Sequence, residues 1–173
     1  MKNNENLNMC KSCGKCCNHM AGTLFPEDIK ETITKEVLLK YLEKDYCLDS
    51  WVGNASEDPK YDDITFYFIR PRHTNAKEYL LDESYGGICV LLTETGCSLT
   101  FENRPSQCKA LIPKDSIEKH CITKDETYSK KNGAIAWLPY NSIFLEILNE
   151  YEGETLNSVE NLLNFLTNQK INI

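Results

Sequence analysis

Residues 10–17 read Cys10-Lys11-Ser12-Cys13-Gly14-Lys15-Cys16-Cys17, four thiols at C-x2-C-x2-C-C spacing. Cysteines at this spacing can turn their sulfurs toward one point, because the residues between them close a tight loop. Gly14 supplies the backbone freedom such a loop needs. Lys11 and Lys15 soften the repulsion among several thiolates. The stretch is one half of a metal or iron–sulfur site, and the other half must come from elsewhere in the chain. The adjacent pair Cys16-Cys17 adds a constraint. Neighbouring side chains diverge, so one can bind with Cys10 and Cys13 while the other reaches a second centre.

The chain has 173 residues, nine of them cysteine, and an odd total argues against a fully paired disulfide framework. Hydrophobic residues make up 41% and aromatics 10%, enough for a core without covalent staples. The length suits one domain over residues 1–173. Met1 to Met9 is polar and Asn-rich, unlike a secretory leader. No stretch approaches the roughly 20 apolar residues of a membrane span. The expectation is a cytoplasmic protein with no membrane partner, where reduced, clustered thiols serve as ligands or redox groups. A net charge of −7 disfavours nucleic acid, which requires a basic face. The frequency of Asn, Lys and Ile suits an AT-rich bacterial genome.

Periodicity and turn residues predict an α+β fold, a small metal-organised domain with a short β-hairpin and several helices. A short helix is expected over Phe25 to Thr32, with Pro26 in its first turn. Thr34 caps a second, Lys35 to Tyr46, with Val37, Leu38, Leu42 and Tyr46 on its buried stripe and Cys47 just past its end. Asp49 to Asp63 reads as a loop. Ile64 to Arg70 is rich in β-branched and aromatic residues and reads as a strand ended by Pro71. Arg70, Arg72 and His73 then form a basic knot. Ile88 to Leu92 and Cys97 to Phe101 form a hairpin about the turn Thr93 to Gly96. Asn103 caps a short helix through Pro105, Cys108 and Leu111, halted by Pro113. The last third, 122–173, reads as a helical extension: Asp125 to Lys131 closed by Gly133, Asn141 to Tyr151, and Asn157 to Asn168.

The remaining thiols are Cys47, Cys89, Cys97, Cys108 and Cys121. Cys89 and Cys97 flank the hairpin turn, Cys108 stands on the helix after Arg104-Pro105, and Cys121 follows His120. C-x2-C-x2-C with a remote fourth cysteine is the ligand spacing of ferredoxin-type [4Fe–4S] sites. Structural zinc more often uses two separate C-x2-C pairs, and the distal half lacks one. Cys47 is read as a buried small hydrophobe. His19, two residues past the cluster, His73 and His120 could each bind metal, although a surface or hydrogen-bonding role is the ordinary one.

The pattern resembles the YkgJ-type cysteine-cluster family, a zinc- or iron-chelating domain. Cys10, Cys13, Cys16 and Cys17 match its first part, and Gly87-Ile88-Cys89-Val90 its middle cysteine. Cys97-Ser98-Leu99 and Arg104-Pro105-Ser106-Gln107-Cys108-Lys109, followed by Pro113, match its last part. The resemblance runs over about residues 10–121. It implies cysteine-bound metal, with Cys10, Cys13, Cys16, Cys17, Cys89, Cys97, Cys108 and Cys121 as the ligand set. Arg104 would stand beside the site as a donor or anion holder, and Lys109 stands where the family often has arginine. The cluster is also similar to that of flagellin lysine-N-methylases, which are much longer chains.

Three functions follow as expectations. The first is an iron–sulfur protein, [4Fe–4S] by spacing, used in electron transfer or in modification of a protein or peptide partner. The second is a zinc-stapled binding module without chemistry of its own. The third is a metallohydrolase or methyl-transfer enzyme with an exposed metal and His19 or His73 as base. Oligomeric state is not legible.

Overall fold

The computed structural model describes residues 14–52, 64–76, 80–84, 86–113, 121–123 and 126–151. Cys10, Cys13, Asp62-Asp63, His120 and the expected helix Asn157 to Asn168 lie outside the described residues. The fold is α+β with a helical C-terminal region. Its helices are α1 (Lys15–His19), α2 (Lys35–Leu42), α3 (Ser106–Ala110), α4 (Lys130–Ala136) and α5 (Asn141–Tyr151). Strands β1 (Tyr46–Val52) and β2 (Thr65–Pro71) form the main antiparallel pair. Two shorter pairs follow: β3 (Leu92–Thr93) with β4 (Gly96–Cys97), and β5 (Leu111–Pro113) with β6 (Cys121–Thr123).

β1 and β2 run in register from Tyr46 opposite Pro71 to Val52 opposite Thr65. Chain segments extend the pair on both sides. Leu24 N–H donates to Ile69 O at 2.8 Å, and Leu48 N–H donates to Leu80 O at 2.9 Å. β2 is therefore buried along almost its whole length, which explains the apolar run Phe66 to Ile69 within it. Helices α2, α4 and α5 pack on this layer and share one core with it, in which Leu38, Phe66, Phe68, Trp137, Phe144 and Ile147 have no exposed surface. Trp137 anchors the core: its indole N–H donates to Leu24 O at 2.7 Å, and its ring meets Phe144 at 5.3 Å. A second, much smaller cluster of Ala21, Cys89 and Leu91 lies apart, with Cys17, Cys97 and Tyr46 packed against it.

Several elements differ from the sequence expectation. β1 replaces an expected helix end and loop. Asp49 and Ser50 interrupt its apolar run, yet Asp49 is buried because Arg70, one step diagonally across the ladder, donates to it at 2.7 Å. The helix expected over Phe25 to Thr32 is a single 3-10 turn, Pro26–Asp28, closed when Asp28 accepts from the Phe25 amide at 2.9 Å. α2 begins as expected, with Thr34 Oγ1 accepting from Val37 N–H at 3.4 Å, but ends at Leu42 rather than Tyr46. There the buried Arg72 guanidinium donates to Leu42 O and takes up a helix-end carbonyl. The hairpin forms, with only two residues in each strand. Gly133 sits inside α4 rather than closing a helix, because Thr23 and Phe25 pack directly against it.

The expected basic knot is a buried ion network. Arg70, 1% exposed, pairs with Asp49 at 2.7 Å and Asp82 at 2.9 Å, and Lys130 reaches Asp49 at 3.2 Å. His73 lies beside it, with Nδ1 3.2 Å from Ser84 Oγ. Burial, aided by the Arg70 charge, lowers its basicity.

Candidate metal centre

Four separate segments supply cysteines to one cavity. α1 carries Cys16 and Cys17. Gly14 precedes it at φ 56°, a left-handed turn that glycine adopts without strain and that starts the one-turn helix immediately after the first two cysteines of the cluster. The loop before β3 carries Cys89 and is pinned to α1 through the backbone: Cys89 N–H donates to Cys17 O at 2.7 Å, and Gly87 N–H to His19 O at 3.0 Å. On its other side the same loop bridges to the chain leaving β2, with Val90 N–H donating to Arg72 O at 3.0 Å. Cys97 sits on β4 and Cys108 on α3.

All five of these thiols border a void of about 40 Å³, closed by Met20, Ala21, Pro71, Leu91, Pro105 and Leu111, with Arg104 in its wall. This is far below the roughly 300–1,000 Å³ of pockets that take organic ligands. The donors suit a soft inorganic centre, since among the described residues no carboxylate or imidazole borders the void. Among the described residues, no group of three His, Cys, Asp or Glu side chains meets as one ion requires. Cys10, Cys13 and the Cys121 side chain lie outside that description. The Cys121 backbone is placed, opposite Pro113 in the β5–β6 pair.

The thiols lie within range of one another's charge. Burial raises Cys108 strongly, and Cys17, Cys89 and Cys97 push it further, while a hydrogen bond from the Gly22 backbone pulls the other way. Burial raises Cys89 to about 11, against backbone hydrogen bonds from Leu91 and Leu92. A buried thiol that its surroundings hold protonated, yet toward which backbone amides point, is matched to a positive centre that would take the thiolate. The residues present therefore fit a thiolate-bound metal. Cys47 stands elsewhere: fully buried in β1, its thiol donates to Arg70 O at 3.7 Å, and burial raises it to about 12. Neither His19, exposed at the end of α1, nor the buried His73 borders the cavity.

α3 is held in place by groups that motif spacing did not single out. Pro105, the residue before it, offers no capping side chain. Asp28 caps it from outside instead, accepting from Ser106 N–H at 2.8 Å, Ser106 Oγ at 2.7 Å and Lys109 Nζ at 3.2 Å. Gln107 Oε1 accepts from Thr23 N–H at 2.6 Å. Gly22 passes so close that a Cβ there would lie 2.5 Å from Cys108 Sγ. Arg104 Nε donates to Leu99 O at 3.4 Å, tying the wall to the stretch after Cys97. In sequence, Asp28 resembles any acidic first-turn residue; only the fold shows it bonding Ser106.

Replacing Asp28 by alanine strands the Ser106 amide and releases Lys109. The expected result is a loss of about 1–3 kcal/mol in urea unfolding, with faster metal loss to a chelator. Unchanged chelation kinetics would show that the Cys108 segment is held by other contacts.

Five cysteines delivered by four segments around one small, mostly apolar void define a metal-binding cysteine-cluster domain of α+β fold. The chain belongs to the CxxCxxCC family, described as a "putative zinc- or iron-chelating domain", whose sequence profile matches residues 9–132. No curated protein and no solved structure matches the chain. Among the described residues no helix is long and apolar enough to cross a membrane.

Proposed function

We propose that the chain holds an iron–sulfur centre in the cysteine cavity and uses it for electron transfer or for modification of a protein or peptide. The ligands in this reading are drawn from Cys10, Cys13, Cys16, Cys17, Cys89, Cys97, Cys108 and Cys121, with Arg104 beside them. The observation that carries the reading is the size of the void between convergent thiols. One water-sized sphere needs about 10–15 Å³. A single zinc ion, with sulfurs at about 2.3 Å, fills less than that. The 40 Å³ here leaves room for a centre of several atoms. The C-x2-C-x2-C spacing of Cys10, Cys13 and Cys16 points the same way.

Such a centre would supply one-electron chemistry, and the protein's own contribution is tuning. The Gly22, Leu91 and Leu92 backbone bonds to sulfur, the positive Arg104 and the apolar walls are the levers that set a cluster's potential.

One observation favours the zinc-stapled binding module instead. Among the described residues, the cysteine half has only Ala21, Cys89 and Leu91 as its buried apolar cluster. A metal that merely cross-links this half would explain its cysteines without redox chemistry, because metal binding can supply folding energy. Anaerobic purification followed by elemental and sulfide analysis separates the two. The proposal expects a coloured protein with iron and acid-labile sulfide in equal amounts. A colourless protein carrying stoichiometric zinc and no sulfide would replace it with the zinc module.

A further inference from the structure

We infer that Cys17, and not its neighbour Cys16, joins Cys89, Cys97 and Cys108 as the ligand set of the cavity. The inference rests on cysteine-bound metal, whether iron or zinc. Four thiolates complete a structural zinc site and a [4Fe–4S] site alike. Five border the void, one more than either needs. Cys16 and Cys17 are the two that compete for one place. Both stand on α1, and neighbours on a helix project about 100° apart and do not address one point together.

Three observations give the place to Cys17. Its carbonyl oxygen accepts from Cys89 N–H at 2.7 Å, which fastens its backbone to the loop that brings Cys89. Its side chain packs, like that of Cys97, against the buried cluster of Ala21, Cys89 and Leu91. Beyond burial itself, the largest influence raising the Cys108 thiol is the charge of Cys17, ahead of Cys89 and Cys97. The set is thus linked on every side. Among the described residues no three of these sulfurs meet as one ion requires, as expected of thiols at the corners of a larger centre. Cys16 instead closes the C-x2-C-x2-C run with Cys10 and Cys13. Cys16→Ser therefore leaves the cavity set whole, whereas Cys17→Ser takes one of its four sulfurs.

The two variants, prepared with their metal and without oxygen, are treated with N-ethylmaleimide, and labelling of Cys89 and Cys108 is mapped by mass spectrometry. In Cys16→Ser both thiols should stay as protected as in the parent, and react only after a chelator strips the metal. In Cys17→Ser both should react, with metal affinity lower by at least the roughly 10–100-fold that a merely supporting group is worth. The reverse pattern, or equal labelling in the two variants, would overturn the inference. A second measurement needs no variant. As a chelator strips the parent, Cys17 should become labelled in the same phase as Cys108, and Cys16 in a different one. Cys16 labelled together with Cys108 would overturn the inference even where a variant fails to fold. Metal analysis of the same parent keeps the questions apart: zinc in place of iron overturns only the iron–sulfur reading, and a parent holding no metal overturns both.

Discussion

Arg70→Met is expected to lower the unfolding free energy by about 3 kcal/mol, the lower end of what breaking a buried ion pair costs. The guanidinium is 1% exposed and holds Asp49 and Asp82 together across the sheet, and it also donates to Asp82 O and Pro71 O. Methionine fills much of the volume but leaves two buried carboxylates facing each other. Asp49 keeps Lys130 at 3.2 Å and the Ser50 amide at 2.7 Å, and Asp82 keeps the Ser84 amide at 3.0 Å. Those bonds place the cost at the lower end of the range. In a thermal melt the same loss is roughly 6–12 °C. The chain from β2 continues through Arg72, which bonds to the Cys89 loop, so metal retention should fall as well. A melt within a degree or two of the parent would mean that the network contributes nothing net.

Gly22→Ala is expected to cost about 1–3 kcal/mol in stability by overpacking and, more tellingly, to abolish stoichiometric metal. The added Cβ meets Cys108 Sγ at 2.5 Å and the Cys108 amide nitrogen at 3.0 Å. A rotation of the cysteine alone does not relieve a contact with backbone, so either α3 or the segment after α1 must move. α3 resists movement because Asp28 and Gln107 tie it to residues 23–28. The segment after α1 therefore shifts, and Cys16 and Cys17 move relative to Cys108. Circular dichroism confirming a folded protein, together with metal content below half of the parent, is the expected pair of results. Full metal in a folded Gly22→Ala protein would place the centre away from Cys108.

That Cys16, Cys17, Cys89, Cys97 and Cys108 belong together was legible in the sequence because spacing marks them, and spacing survives without knowledge of the fold. The strand over β2 was legible for a similar reason: Phe66 to Ile69 is apolar and aromatic without a break, as a strand covered on both faces must be. β1 was not. Its Asp49 reads as solvated, and only the partner Arg70, twenty-one residues later, makes it a buried strand residue. The turn at Pro26–Asp28 was hidden for the same kind of reason, since Asp28 spends its carboxylate on Phe25 and on α3 rather than on a helix of its own. Arg104 could be assigned to the site from the Arg-Pro-x2-Cys motif. Gly22 could not, because close approach is a property of packing.

The most direct test of the convergent-thiol account is the metal content of single cysteine variants purified side by side without oxygen. Cys89→Ser and Cys108→Ser, from segments nineteen residues apart in the chain, should each lose most of the bound metal. Cys47→Ser, buried in β1 and away from the cavity, should keep the parent's content. Full metal in both cavity variants, or loss in Cys47→Ser alone, would contradict it.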